Sequence, residues 1–437
     1  MKQFLNGYQV RKGALAVVLS GALGLSAPAS AGWFDWLIPA LPEPVEETEP
    51  ELPEVDDGLR PAIFVGNNWD GTIDVIDGDN YELLGRVNGI PDYEERMEEI
   101  KGDFWRYTVF LGIRQLIGEG NDQYVDDMYS TNDGELLIVS RPSFADVVAL
   151  DLTSGEVVWR FEVDGVRSDH MALSPDGTQV AVSASTGNVV HLLNVYTGEE
   201  EGRFPAGNSP HENLYSDDGK YIYHSSIGFV FMPFDGKVLR DTTRGERKFI
   251  VYDTEAAEIV KDIDIKAKLE EAGLGDLSPS IRPMAHTKDY RYFYFQLSFL
   301  HGLVEFDMET ETVTRLAELP NHVPFLPKVY YVNDSAHHGL AMSGDDQSLC
   351  VAGTMDDYAA IVDRETFEYT LLEDLGKKAY WAVTDRSGEN CLISWSETDQ
   401  VSVINYATRE EIKRIDVGNH PQRIREGMLK SDWISLY

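Results

Sequence analysis

Seven apolar strands along this chain end on Asp or Asn, turn within a few residues and run back as a charged strand. The strand ends are Asp77, Asp151, Asn194, Asp253, Asp307, Asp363 and Asn405. A second phrase recurs ahead of such hairpins: a polar or His-bearing lead-in, four or five mostly apolar residues, then a Ser/Gly/Asp turn. Asp169-His-Met-Ala-Leu-Ser-Pro-Asp-Gly177, His211-Glu-Asn-Leu-Tyr-Ser-Asp-Asp-Gly219 and Asp334-Ser-Ala-His-His-Gly-Leu-Ala-Met-Ser-Gly-Asp-Asp346 are three copies. A chain written in such units folds as repeats of one small antiparallel sheet.

The tightest spacings, 43 residues from Asp151 to Asn194 and 42 from Asp363 to Asn405, match a four-stranded propeller blade of about 40–45 residues. Wider gaps are the same unit with insertions. Six complete blades are visible, at 126–163, 169–205, 211–263, 282–319, 337–375 and 380–417. The first hairpin, 61–88, lacks an inner strand, while the end of the chain supplies a strand with no hairpin behind it. The expected fold is therefore an all-β, seven-bladed β-propeller. Its C-terminal strand, 420–430, completes blade 1 and closes the ring, so that no sheet edge is left open.

Val417-Gly-Asn-His-Pro421 before an inner strand and Ser174-Pro-Asp-Gly177 after one resemble the YVTN-type seven-bladed propellers, over about 61–430. The resemblance implies the fold and little about activity, because that family hosts unrelated functions. More distantly, the architecture is similar to the propeller subunits of periplasmic amine dehydrogenases. No residues match a cofactor motif of that group.

Lys2, Arg11 and Lys12 precede an apolar run from Ala14 to Leu25, and Ala29-Ser-Ala31 follows. This pattern predicts a secretory signal peptide over 1–31 and an exported protein, periplasmic or extracellular. An uncleaved anchor is the alternative, although the run is short for a span of about 20 residues. Residues 32–59 alternate Pro with acid and read as a disordered tether. No other stretch is apolar enough to span a membrane, so none is expected in the mature chain. A net charge of −38 opposes binding to nucleic acid or anionic membranes. It fits a solvated surface in a salty environment, where ions screen self-repulsion, or an acidic face for a cationic partner.

Four insertions, 89–125, 225–248, 264–281 and 319–336, are expected to collect on one face of the propeller (60–437) as a lid. Pro91 opens a predicted helix carrying Met97, Ile100, Phe104, Tyr107 and Leu111 at helical spacing. Ile265–Gly273 reads as a second, shorter helix. The lead-ins to the inner strands face the channel mouth beneath this lid. They supply His170, His211, Glu212, Arg282, His337, His338, Trp381, His420 and Arg423 as candidate ligand-binding residues, together with Asp126, Asp127, Asp169 and Tyr380. His224 and His301 are expected on the same face.

Three readings of these histidines stay open. His211, His338 and either His170 or His337, with Glu212 nearby, can hold a transition metal through neutral imidazoles. Alternatively, the histidines and Arg282 form a metal-free polar ring for an anionic or polar ligand. In the third reading they line a wet channel and bond turn backbone. The chain contains no Gly-rich phosphate loop, no CxxC or CxxCH, and no nucleophile elbow. The leading expectation is an exported propeller that binds a small molecule or another exported protein in this His-rich pocket. A metal-dependent or His-based enzyme is the alternative, and a surface interaction protein using its acidic rim is a third.

Cys350 and Cys391 are the only cysteines and fall in the second strands of neighbouring blades. Alignment of the two blades points them toward each other. Sheets stack about 10 Å apart, whereas a disulfide needs Cα atoms within about 7 Å, so a bridge and two buried free thiols both remain open.

Overall fold

The structure, a computed structural model, describes residues 58–230 and 237–436. The signal peptide of 1–31 and nearly all of the 32–59 tether lie outside the described residues. Within them, 28 strands form seven four-stranded antiparallel sheets. Strand Pro421–Lys430 pairs with Leu59–Asn67 and is the first strand of blade 1, ahead of Thr72–Asp77 and Leu83–Asn88. The ring closes as the repeat pattern predicts. Among the described residues, no helix is long and apolar enough to cross a membrane.

The recurrent Asp or Asn is a turn device. Asp151 Oδ1 accepts hydrogen bonds from the N–H groups of Thr153 and Ser154, both at 2.8 Å. Asp77, Asn194, Asp253, Asp307 and Asn405 do the same two and three residues on. Asp363 accepts from the Thr366 N–H at 2.8 Å. A side chain that satisfies two turn amides makes the reversal independent of the rest of the fold. The Ser-x-Asp phrase is a second such device, with Ser174 Oγ donating to Asp176 Oδ1 and accepting from Gln179 N.

Each sheet is covered on both faces by its neighbours, so its central strands are apolar throughout instead of alternating. In Leu59–Asn67, Ala62 and Phe64 join a core shared with blade 2, while Ile63 and Val65 join one shared with blade 7. Seven such clusters, one between each pair of neighbouring blades, replace a single central core. The fourth strands face solvent on one side and alternate, as in Val157–Glu162.

The first insertion holds two helices, Tyr93–Gly102 and Phe104–Leu116, where a single one was expected. Asp103 breaks the run by accepting hydrogen bonds from Trp105 N and Arg106 N, which caps the second helix. Met97, Ile100 and Phe110 bury against Tyr124 and Phe144. Phe104 is 82% exposed and leaves the stripe. Helix Ile265–Glu271 forms close to its expected position, but Ile265 and Leu269 bury in the core of blades 4 and 5. Its apolar face is used there, so it does not line the pocket over the channel.

Candidate functional site

Two consecutive side chains of a regular strand point to opposite faces. Five inner strands escape this rule by the same irregularity. In blade 3, Ser168 pairs with Ala184 and Met171 with Val182, so three steps on the inner strand oppose two on its partner. The same extra residue falls between Pro210 and Asn213, Ile281 and Met284, Ala379 and Ala382, and Pro421 and Ile424. These bulges carry Asp169-His170, His211-Glu212, Arg282, Tyr380-Trp381 and Arg423. A bulge re-aims side chains, and here it brings polar residues from five blades to the channel.

His170, His211 and His338, from three blades, offer ring nitrogens that all lie within 4.8 Å of one another. The His170 and His211 rings are 3.9 Å apart between centroids, and His338 lies 5.5 Å from His211 and 6.0 Å from His170. All three are buried. His170 Nδ1 lies 2.7 Å from Glu212 Oε2; in the tautomer with its proton on Nδ1, the Nε2 lone pair is left, 3.6 Å from Asp169 Oδ1. Nδ1 of His211 and Nδ1 of His338 are buried without a hydrogen-bond partner. Burial holds all three imidazoles well below the usual histidine pKa. Arg423 adds to this at His170 and His338, and His338 itself at His211. They are therefore neutral at neutral pH, the form that ligates metals.

Glu212 is pushed up to about 7 by burial and by Asp127 and Asp169, against the pull of Arg425 and Arg423. A carboxylate behind a ligating histidine fixes its tautomer and orientation, as in many metal sites. On the other side of His170, Asp126 and Asp169 complete a second close group. Burial raises the Asp126 carboxyl, and its Oδ2 has no hydrogen-bond partner.

His337 does not join the three. Both histidines precede the regular inner strand Gly339–Met342, and they diverge, with the His338 N–H bonding the Ala352 carbonyl at 3.3 Å. His337 Nε2 lies 3.0 Å from Asp356 Oδ2 and 3.1 Å from the Tyr358 hydroxyl. Asp356 also receives His301 Nδ1 at 2.6 Å, and His301 Nε2 meets the Tyr331 hydroxyl at 2.9 Å. This second cluster, itself a close group of possible metal ligands, ties segment 319–336 to blade 6 through these hydrogen bonds and leaves His337 Nδ1 buried without a partner. His224 is satisfied by Asn213 and Ser226. His420 stands apart, stacked on Trp69 at 3.6 Å.

Trp381 packs edge-on to His170 at 5.9 Å, and the Arg423 guanidinium lies 4.1 Å over its ring. Arg282 donates to the Ser298 hydroxyl at 3.0 Å and to the Asn333 carbonyl. Arg167, absent from the sequence-based candidates, lines the cavity and pairs with Asp169 at 2.7 Å. Its place two residues before Asp169 was the available signal. Three insertions reach the same cavity through Ile117, Val230 and Asn333.

Fold and geometry together define a closed seven-bladed propeller with a buried three-histidine cluster at its channel. Many solved structures share the fold. Among them, hydrazine synthase of Kuenenia stuttgartiensis matches at a TM-score of 0.51 and 14% identity, over 68% of this chain and 88% of that one. Dihydro-heme d1 dehydrogenase NirN in complex with DHE matches at 0.49 and 14% identity, over 83% and 74%. At such identity the likeness is one of fold. No protein-family model matches the sequence, and no curated protein matches it significantly.

Proposed function

We propose that this chain is an exported propeller, akin to the YVTN type, that holds a transition-metal ion on His170, His211 and His338. Glu212 stands behind His170, and a small-molecule ligand or substrate meets the ion on its open side. The observation that carries the reading is three neutral imidazoles from three blades converging within 4.8 Å, two of them with a buried, unpartnered Nδ1. Isolated buried polar atoms are costly. A site that keeps several of them beside converging ring nitrogens is organised for a ligand. Three protein ligands with one side open is the arrangement of catalytic metal sites, which also suits a metal-dependent enzyme.

The signal-like N-terminus supports export, as does the disulfide between Cys350 and Cys391. The insertions 89–125, 225–248 and 319–336 serve as the lid. In this reading Arg282, Trp381 and Arg423 shape the ligand side, whereas His337 and His420 act elsewhere.

Metal analysis of protein purified without a histidine tag tests the proposal. Stoichiometric Cu, Zn, Co, Fe or Mn, lost in a His211→Ala/His338→Ala double variant, is the expected result. Metal-free protein whose melting temperature ignores all five ions would sink it.

A further inference from the structure

An apolar cleft of ≈ 450 Å³ opens beside the histidine cavity. One wall is helix Phe104–Leu116, through Val109, Ile113 and Leu116; Ile227, Phe229 and Val230 form the other. The cleft and the cavity share Ile117, Arg167, Asp169, Ile227 and Val230, so they adjoin across these side chains. The cavity around the histidines is only ≈ 40 Å³, enough for a small head group. The cleft is in the range of small-molecule sites, about 300–1,000 Å³.

The charges select the head group. Arg167 is matched by Asp169. Arg282 is buried and hydrogen-bonds only neutral groups, with no carboxylate at salt-bridge distance among the described residues. Arg423 is buried with Nε and Nη1 unpartnered. A buried guanidinium without a direct counter-ion is destabilising, and a metal ion on neutral imidazoles adds further positive charge. An anionic oxygen donor relieves both, whereas an amine relieves neither and would answer only the unpartnered Asp126 Oδ2 of the same cavity.

We propose that the pocket takes a small amphipathic carboxylate, its head between Arg282 and the three-histidine centre and its apolar body in the cleft under helix Phe104–Leu116. The placement of the head on the metal rests on the metal reading above; the cleft and Arg282 do not.

Octanoate, acetate and octylamine serve as probes, titrated calorimetrically into metal-free and Co²⁺-loaded protein, with the Co²⁺ absorption followed in parallel. Octanoate is expected to bind metal-free protein at least about 100-fold more tightly than acetate, because its extra methylenes are buried. Co²⁺ should tighten it further, and octanoate should shift the Co²⁺ spectrum. Val109→Asp and Leu116→Asp, at partly or fully exposed positions where folding is not at risk, should weaken octanoate at least about tenfold while Co²⁺ still binds. Equal affinity for octanoate and acetate, or indifference to both substitutions, overturns the proposal. Octylamine binding as tightly as octanoate overturns the head-group assignment, and an unshifted Co²⁺ spectrum overturns the placement on the metal. Failure to bind Co²⁺ sinks the metal reading by itself; octanoate binding that Val109→Asp abolishes would then still uphold the cleft.

Discussion

Gly344 donates its N–H to the Gly388 carbonyl at 2.8 Å, and a Cβ built on Gly344 would stand 2.5 Å from the Gly388 Cα. Only glycine at both turns lets blades 6 and 7 touch there. Alanines 341, 352, 359, 379 and 382 continue the close approach between the sheets. The consequence is that Cys350 and Cys391 come to a Cα separation of 6.4 Å and form a disulfide.

Closing a 41-residue separation restricts the unfolded chain by about 4 kcal/mol in the loop-entropy description. The Cys350→Ala/Cys391→Ala variant should lose stability of that order in denaturant unfolding, and thiol titration of unfolded, unreduced wild-type protein should find no free thiol. Two free thiols per chain would contradict the bridge.

The C-terminal strand is locked to the next blade as well as to its own. Arg425 makes two 2.8 Å hydrogen bonds to the buried carboxylate of Asp127 in blade 2, and Leu429 sits in the core of blades 1 and 2. Deletion of 421–437 therefore strips blade 1 of its inner strand, leaves Asp127 without its charged partner and opens an edge on each side. Aggregation or loss of cooperative unfolding is expected. A truncated protein that stays monomeric with an unchanged melting temperature would refute the closure.

What the sequence disclosed was local. Asp151 or Asn405 marks a turn because its own side chain makes that turn, and the missing strand of blade 1 follows from the pattern of units. The site was legible only to the level of which lead-ins converge. The bulges that aim His170 and His211 into one space depend on pairing register, which no single strand encodes. For the same reason, the choice between His337 and His338 waited on how the chain enters the inner strand Gly339–Met342 of blade 6. Asp103 was a local signal and could have been read as the cap of a second helix. The distance between Cys350 and Cys391 could not be read, since it depends on two glycines meeting across blades.

Glu426 gives the fold a pH signature of its own. Burial, with Asp385 and Asp79 adding to it, raises its carboxyl from 4.5 to about 7. The native state thus keeps a proton between these values that the unfolded chain has lost. Stability from this group is present below about pH 4.5 and is lost as pH rises through 7. Discounted for partial exposure, the loss is about 1–2 kcal/mol. Glu426→Gln has no proton to lose, so wild-type protein should fall relative to this variant between pH 5 and 8. Parallel melting curves over that range would exclude the effect.

Helix Tyr93–Gly102, which leads into the helix that walls the apolar cleft, is tied to blade 2 through one buried carboxylate. Asp146 in blade 2 receives Arg141 Nε at 2.8 Å and Nη2 at 2.9 Å, and Arg96 Nε of helix Tyr93–Gly102 lies 3.2 Å away. Arg141 also grips Asp92, which precedes that helix. All three side chains of the Arg96–Asp146–Arg141 group are fully buried, so removing the central charge leaves Arg141 with only Asp92 and Arg96 with only the partly exposed Glu99 and Glu162. Asp146→Asn should cost about 3–5 kcal/mol, the usual penalty for breaking a buried ion pair from one side. Because the helices lose their anchor before the ring loses its cores, amide exchange should rise first in 93–116, and octanoate affinity should fall with it. A stability loss below about 1 kcal/mol, within the range of an exposed pair, or exchange that rises uniformly over all blades, would show that the helices are held by Met97, Ile100 and Phe110 alone.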